Sequence, residues 1–284
     1  MFACTLFGID RQVYYRKIKR RVIKQNKAEL VVNLVIEIRT QMPRIGCKKL
    51  FYMLNKELKT LKIGRDKFID ILRANHLLIT PKRSYHITTN SHHRFRKYKN
   101  QLLDLQIDKP EQVWVSDITY IGKREKPCYL SLITDAYSKK IVGYNVSDNL
   151  NTESSLVALK LAIKERKHKE VPLIHHSDRG MQYCANEYQK LLSKNDIQPG
   201  MTQNSDPYEN AVAERINGIL KQEFDIDKYN QDLPIMKKMV DIYNEKRPHL
   251  SNHMLTPNQM HEQSKLIMKT YKTKNSIKNV FDAV

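Results

Sequence analysis

VWVSDITYI, residues 113–121, is an almost unbroken run of β-branched and aromatic residues with one charged side chain, that of Asp117. Such a run predicts an interior β-strand. An ionised carboxylate buried there without a partner costs roughly several kcal/mol, so Asp117 requires a cation, a network of donors or a metal ion. Taken alone, the residue fits a structural, hydrogen-bonded aspartate better than a catalytic one, and both interpretations stay open.

A second acidic residue, Asp178, directly follows the predicted strand VPLIHHS, residues 171–177. In open α/β sheets the carboxyl ends of the strands face the crevice where ligands bind, which favours a role in an active site. The competing interpretation is a turn or helix-capping aspartate, because Ser-Asp-x-Gly segments commonly form turns.

A third carboxylate, Glu214, lies in a predicted helix over residues 206–224. Its start has strong initiation signals, with Asp206 as N-cap, Pro207 in the first helical position and Glu209 three residues after the cap. At about 100° per residue, one polar face is formed by Asn210, Glu214, Asn217 or Gly218, and Lys221. A solvated surface stripe is the alternative for this face.

The fold class follows from the order of the predicted elements. Strands are expected at 112–121, 128–135, 140–146, 171–176 and 198–203, and helices at 152–166, 183–195 and 206–224. The order βββαβαβα is that of an α/β ribonuclease-H-like fold, a mixed central sheet with flanking helices. We expect this core to occupy residues 109–262.

The three carboxylates, Asp117, Asp178 and Glu214, come from a central strand, a later strand end and a downstream helix, which suits one cluster that binds divalent metal. Hard oxygen ligands favour Mg²⁺ or Mn²⁺. Two such ions activate an attacking oxygen and stabilise the leaving oxygen in an in-line phosphoryl displacement. Attack by water gives hydrolysis, and attack by a DNA 3′-hydroxyl gives strand joining.

Positive charge is concentrated in the N-terminal third of the chain. Residues 1–100 contain 24 of the 50 Lys and Arg but only 6 of the 30 Asp and Glu. This imbalance predicts a surface that binds a polyanion, most simply DNA. A solvated basic surface without a partner is the alternative.

The region before the core is predicted to be a small all-α, helix-turn-helix-like module. Residues 1–25 resemble a partial helix-turn-helix, with a Gly turn and a basic second helix capped by Asp10, although a simple helical hairpin fits equally well. Residues 26–80 contain three amphipathic segments, and 81–108 read as a basic linker. His86, His92 and His93 in that linker favour phosphate contacts over a metal site, and 263–284 form a basic tail.

Export and membrane insertion are not indicated by the sequence. The cysteines show no paired spacing that would suggest disulfides or a zinc site. No apolar run approaches the roughly 20 residues that span a bilayer, and no signal peptide is evident. We therefore expect a cytoplasmic, nucleoid-associated protein without membrane contacts.

The motifs resemble those of bacterial insertion-sequence transposases, specifically the downstream-frame product of two-frame elements, in the retroviral-integrase (DDE) superfamily. WVSDITYI (114–121) with YLSLITDAYSKKIVGY (129–144) is similar to the family's first-aspartate block, LIHHSDRGMQY (173–183) to its second, and NSDPYENAVAERINGILKQE (204–223) to its glutamate block. Sixty residues separate the two aspartates, and 35 separate Asp178 from Glu214. YNEKRPHLSNHMLTPNQ (243–259) resembles the closing segment.

The resemblance implies that Asp117, Asp178 and Glu214 are catalytic metal ligands and that Lys221 contacts DNA. We also expect DNA contacts from Arg179, Arg215, Asn210, Lys48 and Lys49. The family further implies a homo-oligomer that binds the terminal inverted repeats of the element and target DNA. It also implies a frameshift fusion with the upstream-frame product.

Two other functions compete with strand transfer. The first is a catalytically silent DNA-binding accessory protein or repressor, against which the three intact carboxylates count. The second is a ribonuclease-H-like nuclease that only hydrolyses, which leaves the basic N-terminal module without a role.

Overall fold

The computed structural model describes residues 4, 6–80, 105–123, 126–202, 211–229 and 232–262. The chain divides into two compact units. A helical unit comprises Met1–Thr88, Tyr120–Cys128 and Arg215–Met239, and a sheet unit comprises Thr89–Thr119, Tyr129–Glu214 and Val240–Val284. The predicted core of 109–262 is therefore divided, because residues 120–128 and 215–239 belong to the helical unit.

The helical unit begins with α1 (Arg11–Gln41), α2 (Cys47–Met53), α3 (Asn55–Thr60) and α4 (Arg65–Ala74). Its core is made of apolar side chains that recur with helical spacing, as in the fully buried pair Val31 and Val35 of α1. Phe68 and Leu72 form the corresponding buried face of α4. The predicted all-α character of this region is confirmed.

The helix α1 differs from the sequence prediction in its length. Asp10 is its N-cap as predicted, accepting hydrogen bonds from the N–H groups of Gln12 (2.7 Å) and Val13 (3.2 Å). However, one helix of 31 residues runs on to Gln41 and crosses the predicted boundary between residues 25 and 26. The segment 11–41 contains no Gly or Pro to end the helix.

The sheet has five strands in the order β3-β2-β1-β4-β5. They are β1 (Val113–Lys123), β2 (Lys126–Asp135), β3 (Ile141–Ser147), β4 (Leu173–Ser177) and β5 (Ile197–Met201). β2 and β3 are antiparallel, whereas β4 runs parallel to both β1 and β5. All five predicted strands are confirmed as a mixed sheet.

The helices that follow are α5 (Thr152–Glu165), α6 (Met181–Cys184), α7 (Asn186–Lys194), α8 (Ala211–Glu223), α9 (Leu233–Glu245) and α10 (Pro257–Glu262). The order βββαβαβα is thus observed, with the helix predicted at 183–195 divided into α6 and α7. This is the ribonuclease-H-like fold. The proposed initiation signals of α8 at 206–209 lie outside the described residues.

Side chains alternate between the two faces of β1, as the strand period of two requires. Trp114 belongs to the larger core, in which α5, α6 and α7 bury their apolar faces. Val113 and Val115 face the other way, where Ala213 and Val212 of α8 pack on them. The start of α8 therefore lies on the same side of the sheet as Val113 and Val115.

No helix within the described ranges is long and apolar enough to cross a membrane. The linker segment 81–104, with His86, His92 and His93, and the tail 263–284 lie outside the described residues.

Candidate active site

The first predicted carboxylate, Asp117, lies within β1 and is half-buried. It follows Val113 and Val115 at a spacing of two, so its side chain projects from the face of β1 on which α8 packs. One carboxylate oxygen, Oδ1, accepts a hydrogen bond from the N–H of Ile118 at 2.9 Å. Asp117 is thus anchored locally on the face where the glutamate-bearing helix begins.

The second carboxylate, Asp178, is brought beside Asp117 by the register of the sheet. β1 and β4 are parallel, and Ser116 pairs with Ser177. Asp117 directly follows Ser116, and Asp178 directly follows Ser177. Adjacent strands of a sheet lie about 4.8 Å apart. Two acidic residues 61 positions apart in sequence are therefore neighbours at the carboxyl end of β4.

The charges of both aspartates also act on Tyr183 of α6. Its pKa is raised well above the ordinary value, chiefly by burial and then by the charges of Asp178, Tyr188 and Asp117. A single phenol therefore lies within electrostatic range of both aspartates. It stays protonated and neutral beside them.

The segment Asp178-Arg179-Gly180 forms a tight turn after β4. Asp178 Oδ1 accepts a hydrogen bond from the N–H of Gly180 at 3.0 Å, and a Cβ atom on Gly180 would stand 3.0 Å from the same oxygen. The Asp-x-Gly spacing thus has a steric reason, since a side chain at position 180 would crowd the carboxylate. The turn interpretation and the active-site interpretation of Asp178 are therefore compatible.

The third carboxylate, Glu214, lies in the first turn of α8 and is exposed. Ala213 and Val212, just before it, pack on β1, which places Glu214 on the same side of the sheet as Asp117. Partial desolvation raises the pKa of Glu214 above its ordinary value. Among the described residues, no three His, Cys, Asp or Glu side chains are close enough together to hold a metal ion. The structure thus joins the two aspartates and leaves Glu214 outside their immediate cluster.

A buried polar network supports the strands behind the aspartates. His175 Nε2 lies 2.6 Å from Ser116 Oγ and 2.8 Å from the hydroxyl of Tyr188. Burial, followed by the neighbouring His176, lowers the pKa of His175 to about 3, so the ring is neutral at physiological pH. This network ties β1, β4 and α7 together at Ser116, directly before Asp117, and at His175, three residues before Asp178.

The residues predicted to contact DNA fall in different environments. Lys48 and Arg215 are exposed, and Lys221 is half-buried on α8. The guanidinium of half-buried Arg179 donates from Nε to the carbonyl oxygen of Thr202 at 2.6 Å. Asn210 lies outside the described residues.

Lys49 does not fit the predicted DNA contact. It is 8% exposed, and its Nζ lies 2.6 Å from Oε1 of Glu223 at the end of α8. An amino group paired in the interior is not available to neutralise a phosphate. Adjacent lysines on a helix point about 100° apart, so Lys48 faces solvent and Lys49 faces the interior.

Sequence reasoning missed a second polar cluster, formed by residues that are distant in the chain. The buried carboxylate of Glu111 accepts hydrogen bonds from the backbone N–H groups of Lys167 (2.9 Å) and His168 (2.6 Å). His261 of α10 lies between Glu111 (3.3 Å) and Ser138 (3.0 Å). The separation of these residues in sequence leaves no local signal that could have identified the cluster.

The closing segment also has a structural role that its motif did not reveal. Asn244 of α9 accepts a hydrogen bond from the N–H of Ile141 (3.0 Å) and donates to its carbonyl oxygen (2.9 Å). The hydroxyl of Tyr243 donates to the carbonyl oxygen of Lys139 at 2.8 Å. These residues hold α9 against the turn that joins β2 and β3.

Comparison with known proteins adds a family to this geometry. The family model described as Integrase core domain matches residues 107–207, and a second model of the same description matches 195–257. The chain is 29% identical over 254 residues, 87% of its length, to an uncharacterized 31 kDa protein of insertion element IS600 from Shigella sonnei, and the match covers 92% of that protein.

Two further similarities are more limited in extent. The putative transposase of element IS986/IS6110 from Mycobacterium tuberculosis is 36% identical over 118 residues, which are 40% of this chain and 42% of that protein. The integrase catalytic core of HTLV-2, solved in complex with magnesium, covers 54% of this chain and 97% of its own, at 18% identity and a TM-score of 0.42.

Proposed function

Because this chain belongs to the insertion-sequence transposases that carry an integrase core, we propose that it cuts and joins DNA strands with Asp117, Asp178 and Glu214. The observation that carries the proposal is the register of β1 and β4, which sets Asp117 beside Asp178. A purely structural role would not require two carboxylates side by side on neighbouring strands, because like charges on adjacent strands repel.

The donor set fits a hard divalent cation. Two carboxylates stand side by side, and Glu214 begins a helix that packs on the face from which Asp117 projects. Oxygen ligands of this kind suit Mg²⁺ or Mn²⁺, and we propose that Asp117, Asp178 and Glu214 hold two such ions. When bound, the ions supply activation of the attacking oxygen and stabilisation of the leaving oxygen.

The chemistry has two phosphoryl displacements. In the first, a water oxygen attacks a phosphodiester at the end of the element, the P–O3′ bond breaks, and the 3′-hydroxyl is released with a proton. In the second, that hydroxyl attacks a target phosphodiester, forming a new P–O3′ bond and expelling the target's own 3′-oxygen. The neutral His175 network holds β1 and β4 in register during both steps.

We propose that DNA is bound mainly by basic residues, some of them on α8 and others on the helical unit. Lys221 lies seven residues after Glu214, which is two turns along the same face and about 10.5 Å away along the axis. Arg215 and Lys48 are exposed, and we retain Arg179 and Asn210 as further candidates. The partners are the terminal inverted repeats, target DNA, further copies of this chain and, by frameshift, the upstream-frame product.

The proposal is tested by a strand-transfer assay with a labelled duplex that carries a candidate element end, in Mg²⁺ and in Mn²⁺. The variants Asp117→Asn, Asp178→Asn and Glu214→Gln keep side-chain size and remove charge. We expect each to lower cleavage and joining by about 100-fold or more while retaining DNA binding. Cleavage without joining would indicate a nuclease, and binding by wild type with neither reaction would indicate a silent DNA-binding protein.

A further inference from the structure

The carboxyl-terminal end of α8 is held at one residue by two contacts. The Nζ atom of Lys49 lies 2.6 Å from Oε1 of Glu223, and the two side chains are 10% and 14% exposed. The backbone N–H of Arg44 donates to the carbonyl oxygen of Glu223 at 3.0 Å. Glu223 is thus fixed through both its side chain and its main chain, and all three residues belong to the helical unit.

An ion pair in this position does more to select a geometry than to add stability. Removing two charges from water offsets much of their attraction, so a buried pair contributes little net free energy, but loss of one partner leaves an uncompensated charge. Lys49 also places a cation at the helix end where carbonyl groups carry partial negative charge. The ion pair therefore favours the alignment of α8 in which Lys49 and Glu223 meet. Alignments that separate the two charges are strongly disfavoured.

Apolar packing also holds the part of α8 that lies in the helical unit. Its buried side chains include Ile216, Ile219, Leu220 and Phe224. Burial of apolar area is non-directional, so these contacts hold the helix in place and allow small rotations about its axis at low cost. The directional contacts at Glu223 oppose such a rotation.

The position of Glu223 relative to Glu214 gives this restraint a consequence for the active site. Glu223 lies nine positions after Glu214, which corresponds to about 13.5 Å along the axis and, after two full turns, about half a turn around it. The pair with Lys49 thus holds α8 at the opposite end and on the opposite face from Glu214. Fixing Glu223 fixes both the rotation and the axial position of the helix that presents Glu214.

We infer that Lys49 is a positioning residue for strand transfer: through Glu223 it sets the rotation of α8 and thereby the direction of the Glu214 carboxylate. This inference rests on the proposed role of Glu214. It separates Lys49 from its neighbour Lys48, which is exposed and suited to a phosphate contact. Two adjacent lysines then serve two different steps, alignment of the site and binding of DNA.

The test compares Lys49→Met, Lys48→Met, Glu223→Gln and the charge swap Lys49→Glu with Glu223→Lys, at a temperature where all are folded. As a matched control, Lys228→Met removes the pair of Lys228 with Asp225 (3.2 Å), just beyond the same helix. Strand-transfer rates are measured on saturating DNA over a range of Mn²⁺ concentrations, together with DNA affinity over a range of salt concentrations.

We expect Lys49→Met and Glu223→Gln to lower the rate at least about tenfold and to raise the Mn²⁺ concentration for half-maximal rate, because misplacement by about 1 Å is enough to cost that much. Their DNA affinity and its salt slope should match those of wild type. The charge swap should recover most of the rate, and Lys228→Met should behave as wild type. Lys48→Met should reduce the salt slope by about one.

A normal rate in Lys49→Met, a fall in salt slope like that of Lys48→Met, or no recovery in the folded charge swap would overturn the inference. Amide hydrogen exchange supplies a readout that does not depend on catalysis. Lys49→Met should speed exchange along 211–223 even if wild type shows no strand transfer, in which case the proposed function fails and the restraint on α8 stands. Unchanged exchange would overturn the restraint itself.

Discussion

His175 and His261 are both buried, yet their pKa values move in opposite directions. Burial, followed by the neighbouring His176, lowers the pKa of His175 to about 3, and the side chains that contact its Nε2 atom are hydroxyl groups. Burial also opposes protonation of His261, but hydrogen bonds to Asp135 and Glu111 outweigh it and raise the pKa. The acidic partners of His261 raise its pKa, and no such partner contributes to the shift of His175.

This raised pKa predicts a pH-dependent stability for the sheet unit. A group whose folded pKa exceeds its unfolded value, here about 6.5, contributes stability below that value and loses it as pH rises through the folded pKa. We therefore expect the difference in unfolding free energy between wild type and His261→Gln to shrink as pH rises from about 5.5 to about 9. Urea titrations of both proteins at each pH measure it.

Glu111 does not interfere with that measurement. Burial would raise its pKa, but hydrogen bonds from His261, Lys167 and His168 hold it at about 2, so its contribution is lost only as pH falls from about 4.5 towards 2. A constant difference between the two proteins across pH 5.5 to 9 would show that His261 is not charged in the fold.

Single residues also show what a sequence can and cannot reveal. Asp117 and Asp178 were individually ambiguous, and the register between β1 and β4 made them neighbours. Lys48 and Lys49 cannot be distinguished by sequence, but in the fold Lys49 is buried and Lys48 is exposed. The polar character of each position could be predicted, whereas its partner could not, because partners are set by packing between distant segments.

At the scale of elements, α5 approaches β3 so closely that only glycine fits at position 143. A Cβ atom there would stand 2.2 Å from the carbonyl oxygen of Ala158 and 3.0 Å from Cβ of Ala162. The backbone of α5 cannot move aside without disturbing the core that Ala158 and Ala162 help to form. The packing of α5 against β3 therefore requires glycine at position 143.

We expect Gly143→Ala to lower the free energy of unfolding by about 1 to 3 kcal/mol, the usual cost of overpacking a core. Gly218 in α8 is the matched control, because nothing lies within 4 Å of a Cβ atom there. Gly218→Ala should raise stability by about 0.5 to 1 kcal/mol through helix propensity. Urea denaturation measures both, and equal effects would refute the packing argument.

Element types were easier to predict from sequence than element limits. Alternating β-branched residues gave all five strands, and their order gave the fold. The N-terminal segments were predicted as separate short helices because the two parts of α1 differ in burial. Residues 11–26 are exposed, whereas Val31 and Val35 in the second part are fully buried. A single period of apolar residues does not describe such a helix.

At the scale of the whole molecule, the distribution of charge along the chain could be predicted from the sequence. The division of the chain into two compact units could not. The basic N-terminal third is evident from composition alone. That residues 120–128 and 215–239 join this third in one compact unit is a property of the folded chain. It places Lys221 in the basic unit and Glu214 in the sheet unit, on one continuous helix.

The central claim is that Asp117 and Asp178 form a shared site for a divalent cation. The most direct test is thermal unfolding of wild type, Asp117→Asn, Asp178→Asn and the exposed control Asp148→Asn, with and without Mn²⁺. At Mn²⁺ about 100 times its dissociation constant, wild type and Asp148→Asn should gain about 2.7 kcal/mol of stability. The other two variants should gain little, and a gain in them equal to that of wild type would contradict the claim.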